Sequence, residues 1–295
     1  MRPRDLLLLV AICLAWGLSN VVSKLVVSGM AVPPLFFAAI RFVLVLAVTF
    51  PFLRPAPRPL WRIIVIALCM GAGNFALLFI SLKTASPSAV AVVIQVGLPF
   101  TILLSVLMLG ERIGWRRALG IVMTLAGATL VVWHPKGVTF SHGLWFAVAA
   151  AAAGSFGAIL MKQTEDVPPL TFQAWVGLAS AIPLALASAL FEPEAWRVAV
   201  AAGWPFVAAL VFAALVVSVF AHTAYYGLIA RYEANLLAPL TLMTPLFTIG
   251  FGILITGDRL DARMLAGAAL TLLGVLVIAL RPNLVPPTLL NRERA

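Results

Sequence analysis

Ten apolar stretches, each about as long as a helix that crosses a bilayer, follow one another along this chain with only short connections between them. They cover about residues 6–27, 33–53, 61–82, 87–109, 117–133, 143–162, 169–190, 204–229, 234–256 and 262–281. A hydrocarbon core roughly 30 Å thick takes about 20 residues of α-helix. Water is absent there, so each stretch must satisfy its own backbone hydrogen bonds, which a helix does within one segment. Composition closes off the soluble alternative: 63% of residues are hydrophobic and 10% charged, against roughly 45–50% and about 25% in soluble domains. Mean hydropathy is +1.11. The reading is an all-α membrane protein of ten transmembrane helices, with no residues left over for a soluble domain.

The formal charge of +10 does not point to nucleic acid, because the basic residues form no tract and fall in short connections. Arg2, Arg4, Arg54, Arg58, Arg62, Arg112, Arg116, Arg117, Lys162, Arg231, Arg281, Arg292 and Arg294 lie at one end of the predicted helices. Lys24, Lys83, Lys136, Arg197, Arg259 and Arg263 lie at the other. With Arg41 inside a helix these account for all 20, and thirteen against six places both termini in the cytoplasm of a cell inner (plasma) membrane. Met1-Arg2-Pro3-Arg4 imitates a signal peptide, but the apolar run continues to about Val27, as a retained helix does. Cys13 and Cys69 sit inside apolar runs and suggest neither a disulfide framework nor a metal site. No cofactor is expected.

Internal repetition sets the architecture. Phe100-Thr101 returns as Phe247-Thr248, Gly110-Glu111-Arg112 as Gly257-Asp258-Arg259, Gly120 as Gly267 and Gly127 as Gly274, all 147 residues apart. Upstream the register slips, yet Pro33-Pro34-Leu35 still answers Pro168-Pro169-Leu170. The chain divides into residues 1–136 and 137–295, five helices each. Five is odd, so the second unit must lie upside down relative to the first. Inverted repeats suit a transporter, whose halves rock about a midplane site. The loop with Glu111, Arg112, Arg116 and Arg117 then lies inside, and its counterpart with Asp258, Arg259, Asp261 and Arg263 outside.

These residues carry a family resemblance. Leu14-Ala15-Trp16-Gly17, Arg41-Phe42, the stretch from Ala85 to Leu109-Gly110-Glu111-Arg112, and Gly120 with Gly127 resemble the EamA branch of the drug/metabolite transporter superfamily. Within that branch the overall likeness is to YddG-type amino-acid exporters. The resemblance implies ten helices, a central cavity and export of small metabolites.

Polar side chains at mid-depth usually turn away from lipid. Trp16, Asn20 and Ser23 share a face of the first helix, and Asn74 follows Gly71-Ala72-Gly73 in the third. Ser88, Gln95 and Pro99 share a face of the fourth; Ser218, His222, Tyr225 and Tyr226 of the eighth; Thr241, Thr244 and Thr248 of the ninth. Each is either a cavity residue or half of an interhelical hydrogen bond. The fifth and tenth helices, with few hydroxyls and matched glycines, read as scaffold. Arg41 either faces a substrate carboxylate or satisfies carbonyls along a groove, and Glu111 reads as a cap or ion-pair partner. The candidate substrate cavity is Trp16, Asn20, Arg41, Asn74, Phe79, Gln95, Trp175, His222, Tyr225, Tyr226 and Thr244.

Amides and hydroxyls suit a zwitterion, and Trp16, Phe75, Phe79, Trp175, Tyr225 and Tyr226 offer apolar surface for its side chain. The expected function is export of amino acids, aromatic or other apolar ones among them, or similar small metabolites by alternating access. No Asp or Glu lies at the centre of a predicted span, which weakens a proton-coupled multidrug reading and leaves His222 as the central group that titrates near neutrality. A sugar-phosphate or nucleotide-sugar antiporter would attract more than one central basic residue. An intramembrane enzyme would need a motif such as H-E-x-x-H, G-x-S-x-G or a buried acidic pair, and none occurs. The expected partners are a small-molecule substrate and the lipid bilayer, not nucleic acid. A monomer is compatible with this reading.

Overall fold

The computed structural model describes residues 1–110, 113–132, 142–162, 167–229, 231–232, 237 and 240–280. Among these every regular element is helical. The helices are α1 (Pro3–Gly29), α2 (Pro34–Leu53), α3 (Leu60–Thr84) and α4 (Pro87–Met108). They continue as α5 (Trp115–Val132), α6 (His142–Lys162) and α7 (Pro169–Phe191). The last are α8 (Ala195–Tyr225), α9 (Met243–Thr256) and α10 (Ala262–Ala279). Eight of them, all but α5 and α9, are long and apolar enough to cross a membrane, and α9 is a shorter apolar helix. The expected ninth segment began at 234, but residues 233–236 and 238–239 lie outside the described residues, as do Glu111, Arg112 and Lys136.

Local chemistry sets the helix ends. Pro34, Pro87 and Pro169 each stand in the first turn, where a missing N–H costs nothing. Ser86 accepts from the Ala89 N–H at 3.2 Å, and Asp261 accepts from the Met264 N–H at 2.6 Å; both are N-caps. Gly110 (φ 66°) and Gly257 (φ 67°) follow α4 and α9 in the left-handed conformation that ends a helix and favours glycine. Sequence reading opened the eighth helix at 204. The chain is already helical from Ala195, and Gly203 at φ 61° redirects it just before the predicted start.

The strongest packing runs between α5 and α10 and between α2 and α7. Along the first seam a methyl group on Gly120 would lie 2.8 Å from the Gly274 carbonyl oxygen, and one on Gly127 2.6 Å from that of Gly267. As numbering rises on α5 it falls on α10, so the two are antiparallel, with backbones brought together by small residues. The α2–α7 pair is antiparallel as well. Glu192, at the end of α7, accepts from the N–H groups of Leu35 and Phe36 at the start of α2, at 3.1 and 2.8 Å. Further along, a methyl on Gly177 would lie 3.0 Å from the Leu46 backbone nitrogen, tighter than an ordinary contact. A carboxylate at a helix N-terminus satisfies orphan donors and meets the positive end of the dipole.

Other contacts also come in matched sets. α1 packs on α9, and α4 packs on α6. Thr101 donates to the Gly97 carbonyl at 2.8 Å, and Thr248, 147 residues later, donates to the Thr244 carbonyl at 3.0 Å. At one end of the bundle Asp5 meets Arg231 at 3.4 Å and accepts from the Tyr232 hydroxyl. At the other end Ser28 donates to the carbonyls of Leu82 and Lys83, and Asp258 accepts from the backbone and hydroxyl of Ser88 at the start of α4.

The α5–α10 seam leads to a test. Gly127→Ala would set a methyl 2.5 Å from the Thr271 nitrogen, and overpacking of this kind costs about 1–3 kcal/mol. Thermal unfolding in detergent should show a midpoint lowered by several degrees. Gly29→Ala, where a methyl meets nothing within 4 Å, should leave the midpoint in place. Equal midpoints for the two variants would show that the seam yields without cost.

Candidate functional site

Among the described residues four helices widen to π-geometry: α1 over Leu25–Gly29, α9 over Gly252–Thr256, and α3 and α8 beside a cavity. α3 widens to a π-helix over Leu68–Gly73 and α8 over Phe212–Ala221. Ser218 makes a bond of the same i→i−5 reach, donating to the Ala213 carbonyl at 3.2 Å. His222 follows directly, its Nδ1 2.7 Å from the Val217 carbonyl oxygen. Widened turns rotate side chains relative to the rest of the helix, and they recur at functional sites.

Between α3 and α8 lies a cavity of about 170 Å³, lined by Phe42, Met70, Asn74, Phe75, Gly154, Phe172, Gln173, Val176, Ser218 and His222. That volume lies below the roughly 300 Å³ at which drug-sized pockets begin. The wall is apolar, with two amides, a hydroxyl and an imidazole set into it. Asn74 is anchored, donating to the Ala150 carbonyl of α6 at 2.8 Å. Gln173 is 4% exposed.

Arg41 stands behind this wall, with no exposed surface. Its Nε donates to Ser218 Oγ at 3.0 Å, and its guanidinium carbon lies 4.2 Å from the centre of the Phe75 ring and 5.8 Å from that of Phe79. Nη1 and Nη2 are buried without an acceptor among the described residues. A desolvated cation–π contact contributes about 2 kcal/mol, and a hydrogen bond to a charged group roughly 1.5–3 kcal/mol. Burying the ion costs several kcal/mol, and these contacts offset that cost in part or in full.

The other sequence-predicted residues spread over five surroundings. Asn74 and His222 line the cavity. Trp16 packs against His222 and Tyr225, with ring centres 5.3 and 5.0 Å apart, forming an aromatic cluster just beyond the cavity. Asn20 bridges α1 and α9, donating to Thr248 at 3.2 Å, next to Thr244, whose carbonyl accepts from that same Thr248. Phe79 is buried and stacks on Phe37 at 4.8 Å. Trp175 is half-buried beside the main apolar core. Gln95 occupies a 3₁₀ turn, Ile94–Val96, ahead of Pro99, which cannot donate the next helical bond. The side chain of Tyr226 lies outside the described residues.

Gln173, Phe172 and Met70 are cavity residues that sequence reading did not single out. Gln173 carries the same sequence signal as Asn74, an amide inside an apolar segment. Among the described residues the acids are Asp5, Glu192, Glu194, Asp258 and Asp261, all in a first turn or at or beyond a helix end. No group of three or more potential metal ligands occurs among the described residues. The expectation that Glu111 acts as a cap falls outside those residues, but its repeat counterpart Asp258 does cap α4.

Ser218→Ala should strip Arg41 of its one side-chain acceptor among the described residues and lower stability by about 1.5–3 kcal/mol, read as a lower thermal midpoint, while Ser218→Thr restores most of it. An unshifted midpoint in Ser218→Ala would show that Arg41 Nε has another acceptor.

Comparison with known proteins places this geometry. The EamA-like transporter family matches residues 4–133 and again 141–280. A probable amino-acid metabolite efflux pump of Salmonella typhimurium is 26% identical over 287 residues, covering 94% of this chain and 95% of that protein. Its namesake in Escherichia coli is also 26% identical, over 286 residues with the same coverage. An uncharacterized inner membrane transporter of Escherichia coli, YhbE, is 28% identical over 270 residues, covering 85% and 80%. A solved crystal structure superposes with a TM-score of 0.64 at 22% identity, covering 94% of this chain and 96% of that one, which supports the fold. Two family matches that together span nearly the whole chain, on a bundle of membrane-length helices, leave one assignment: this is a multi-pass membrane transporter, not an enzyme, and it belongs to the EamA-like transporter family.

Proposed function

We propose that the chain is a ten-helix secondary transporter that exports amino acids or similar small metabolites by alternating access. Its halves, residues 1–136 and 137–295, are inverted repeats that rock about the cavity between α3, α7 and α8. The observation that carries this reading is the antiparallel packing of repeat counterparts, α2 on α7 and α5 on α10. Equivalent helices that run in opposite directions are what inversion requires, and an odd number of helices per half supplies it. The matched left-handed glycines after α4 and α9 and the matched π-turns in α3 and α8 support the same symmetry. Contacts between halves hold both ends of the bundle: Asp5 with Arg231 and Tyr232 at one, Asp258 with Ser88 at the other. In alternating access these would open in turn.

Substrate size favours a small metabolite. A cavity of about 170 Å³ suits a small solute better than a nucleotide sugar, and the single central arginine argues against a phosphate ester, which attracts several basic partners. Asn74, Gln173, Ser218 and His222 offer donors and acceptors, while Phe42, Phe75, Phe172 and Val176 offer apolar wall. The naming of two relatives as probable amino-acid metabolite efflux pumps supports amino acids as the first class to try.

Proteoliposomes loaded with an unlabelled panel of amino acids should exchange labelled apolar amino acids from outside. Gln173→Leu should cut that exchange about tenfold or more by leaving a polar solute unpaired, with expression and thermal midpoint near those of the wild type. Exchange of sugar phosphates but not amino acids would replace the substrate reading. With both termini cytoplasmic, cysteines at positions 58 and 116 should react with an impermeant thiol reagent only in inside-out vesicles, and a cysteine at 83 only in right-side-out ones. The reverse pattern would invert the topology.

A further inference from the structure

We propose that Arg41 is a carboxylate-binding site covered by Phe75, and that the solute entering the cavity carries a carboxylate. The inference deepens the transport reading and relies on it for the route by which the solute arrives. A guanidinium has five N–H donors in a planar fork. In Arg41 Nε is spent on Ser218, which leaves Nη1 and Nη2, both buried and without an acceptor among the described residues. Side-by-side N–H groups are what a carboxylate meets with two parallel hydrogen bonds.

No carboxylate of the described chain can serve as the counter-ion. Asp5, Glu192, Glu194, Asp258 and Asp261 stand in a first turn or at or beyond helix ends, and Glu192 and Asp258 are committed to the N-termini of α2 and α4. A fully buried cation with open donors therefore has no anion among the described residues, and a solute can bring one. One arginine with two free nitrogens matches a single negative charge.

The geometry also gives the way in. Phe75 touches both sides of the partition: its ring lies over the guanidinium at 4.2 Å, and it lines the cavity. Ser218 is shared in the same way. Phe75 follows the π-helical stretch of α3 by two residues and meets Phe42 and Phe79 edge-on rather than in a stack. Turning the ring aside joins Arg41 to the cavity and replaces a cation–π contact by an ion pair. Asn74, Gln173 and His222 then face the rest of the solute.

The test uses the full-length chain in lipid nanodiscs and two probes of equal shape, 3-phenylpropanoate and its neutral amide. Apparent affinities are read from tryptophan fluorescence and checked by thermal shift. The wild type should bind the carboxylate about tenfold or more tightly than the amide, the ratio expected of a charged hydrogen-bonded pair. Arg41→Gln should bring the ratio near one, and Arg41→Lys should keep part of it. Phe75→Leu should bind 3-phenylpropanoate severalfold more tightly than the wild type, because the cover no longer competes for the charge. Should Arg41→Gln not fold, Arg41→Lys and Phe75→Leu carry the test. Equal binding of the two probes by the wild type, binding of neither, or an unchanged ratio in the Arg41 variants overturns the proposal. Failure of amino-acid export would appear separately, as absent exchange in proteoliposomes alongside an intact carboxylate preference.

Discussion

In hydrocarbon a peptide group has no water to turn to, and every polar atom must find its partner inside the protein. That constraint explains why the chain is a succession of helices with short connections and why its side-chain hydrogen bonds so often end on carbonyls. Thr101, Thr124, Ser155 and Thr248 each donate four residues back along their own helix. Ser28, Asn74 and Ser155 reach carbonyls of neighbouring helices. Helix N-termini, which cannot satisfy themselves, are met by Glu192 and Asp258 from other parts of the fold. Among the described residues a few buried polar atoms depart from that economy, Ser81 Oγ, Trp175 Nε1 and Thr271 Oγ1 among them, and Arg41 does so with a full charge, behind the wall of the cavity.

Symmetry organises the scaffold but not the site. Gly120, Thr124 and Gly127 on α5 meet Gly274, Thr271 and Gly267 on α10, and each member of one triplet stands 147 residues from a member of the other. Close approach at this seam depends on the absence of side chains, so both copies must keep the glycines. Elsewhere the copies have diverged. In the register set by Pro33-Pro34-Leu35 and Pro168-Pro169-Leu170, Arg41-Phe42 corresponds to Val176-Gly177. Phe42 and Val176 both line the cavity, yet the positive charge stands on one side alone. On the proposed alternating-access reading, a symmetric frame with an asymmetric lining would rock between two equivalent shapes while holding a solute in one orientation.

The π-helical stretches link frame and lining. In α8 the wider turn carries Ser218, which orients Arg41, and is followed by His222, which faces the cavity and Trp16. In α3 it carries Met70 and is followed by Asn74 and Phe75. A π-turn holds more residues than an α-turn, so it re-aims the side chains that follow it, here Asn74 and Phe75 on α3 and His222 on α8, toward the cavity wall.

Sequence alone determined the membrane class, the positions of most helices, the family and the repeated motifs, because each follows from local properties: the length of an apolar run, a proline or glycine at its end, a motif at constant spacing. The same reasoning picked out polar side chains at mid-depth, but it could not sort them. Asn20 bridges two helices, Asn74 and His222 line a cavity, and Trp175 sits beside the core, although all four look alike as interruptions of an apolar stretch. Which of them share a space depends on helix rotation, and a π-turn shifts that rotation without leaving a sequence mark. Gln173 was as visible as Asn74 and became meaningful only when α7 was packed beside α3 and α8. The isolation of Arg41 from every described carboxylate was decided by tertiary structure in the same way, since the counter-ion of a buried charge is a question of distance between helices, which no order of residues along the chain can express.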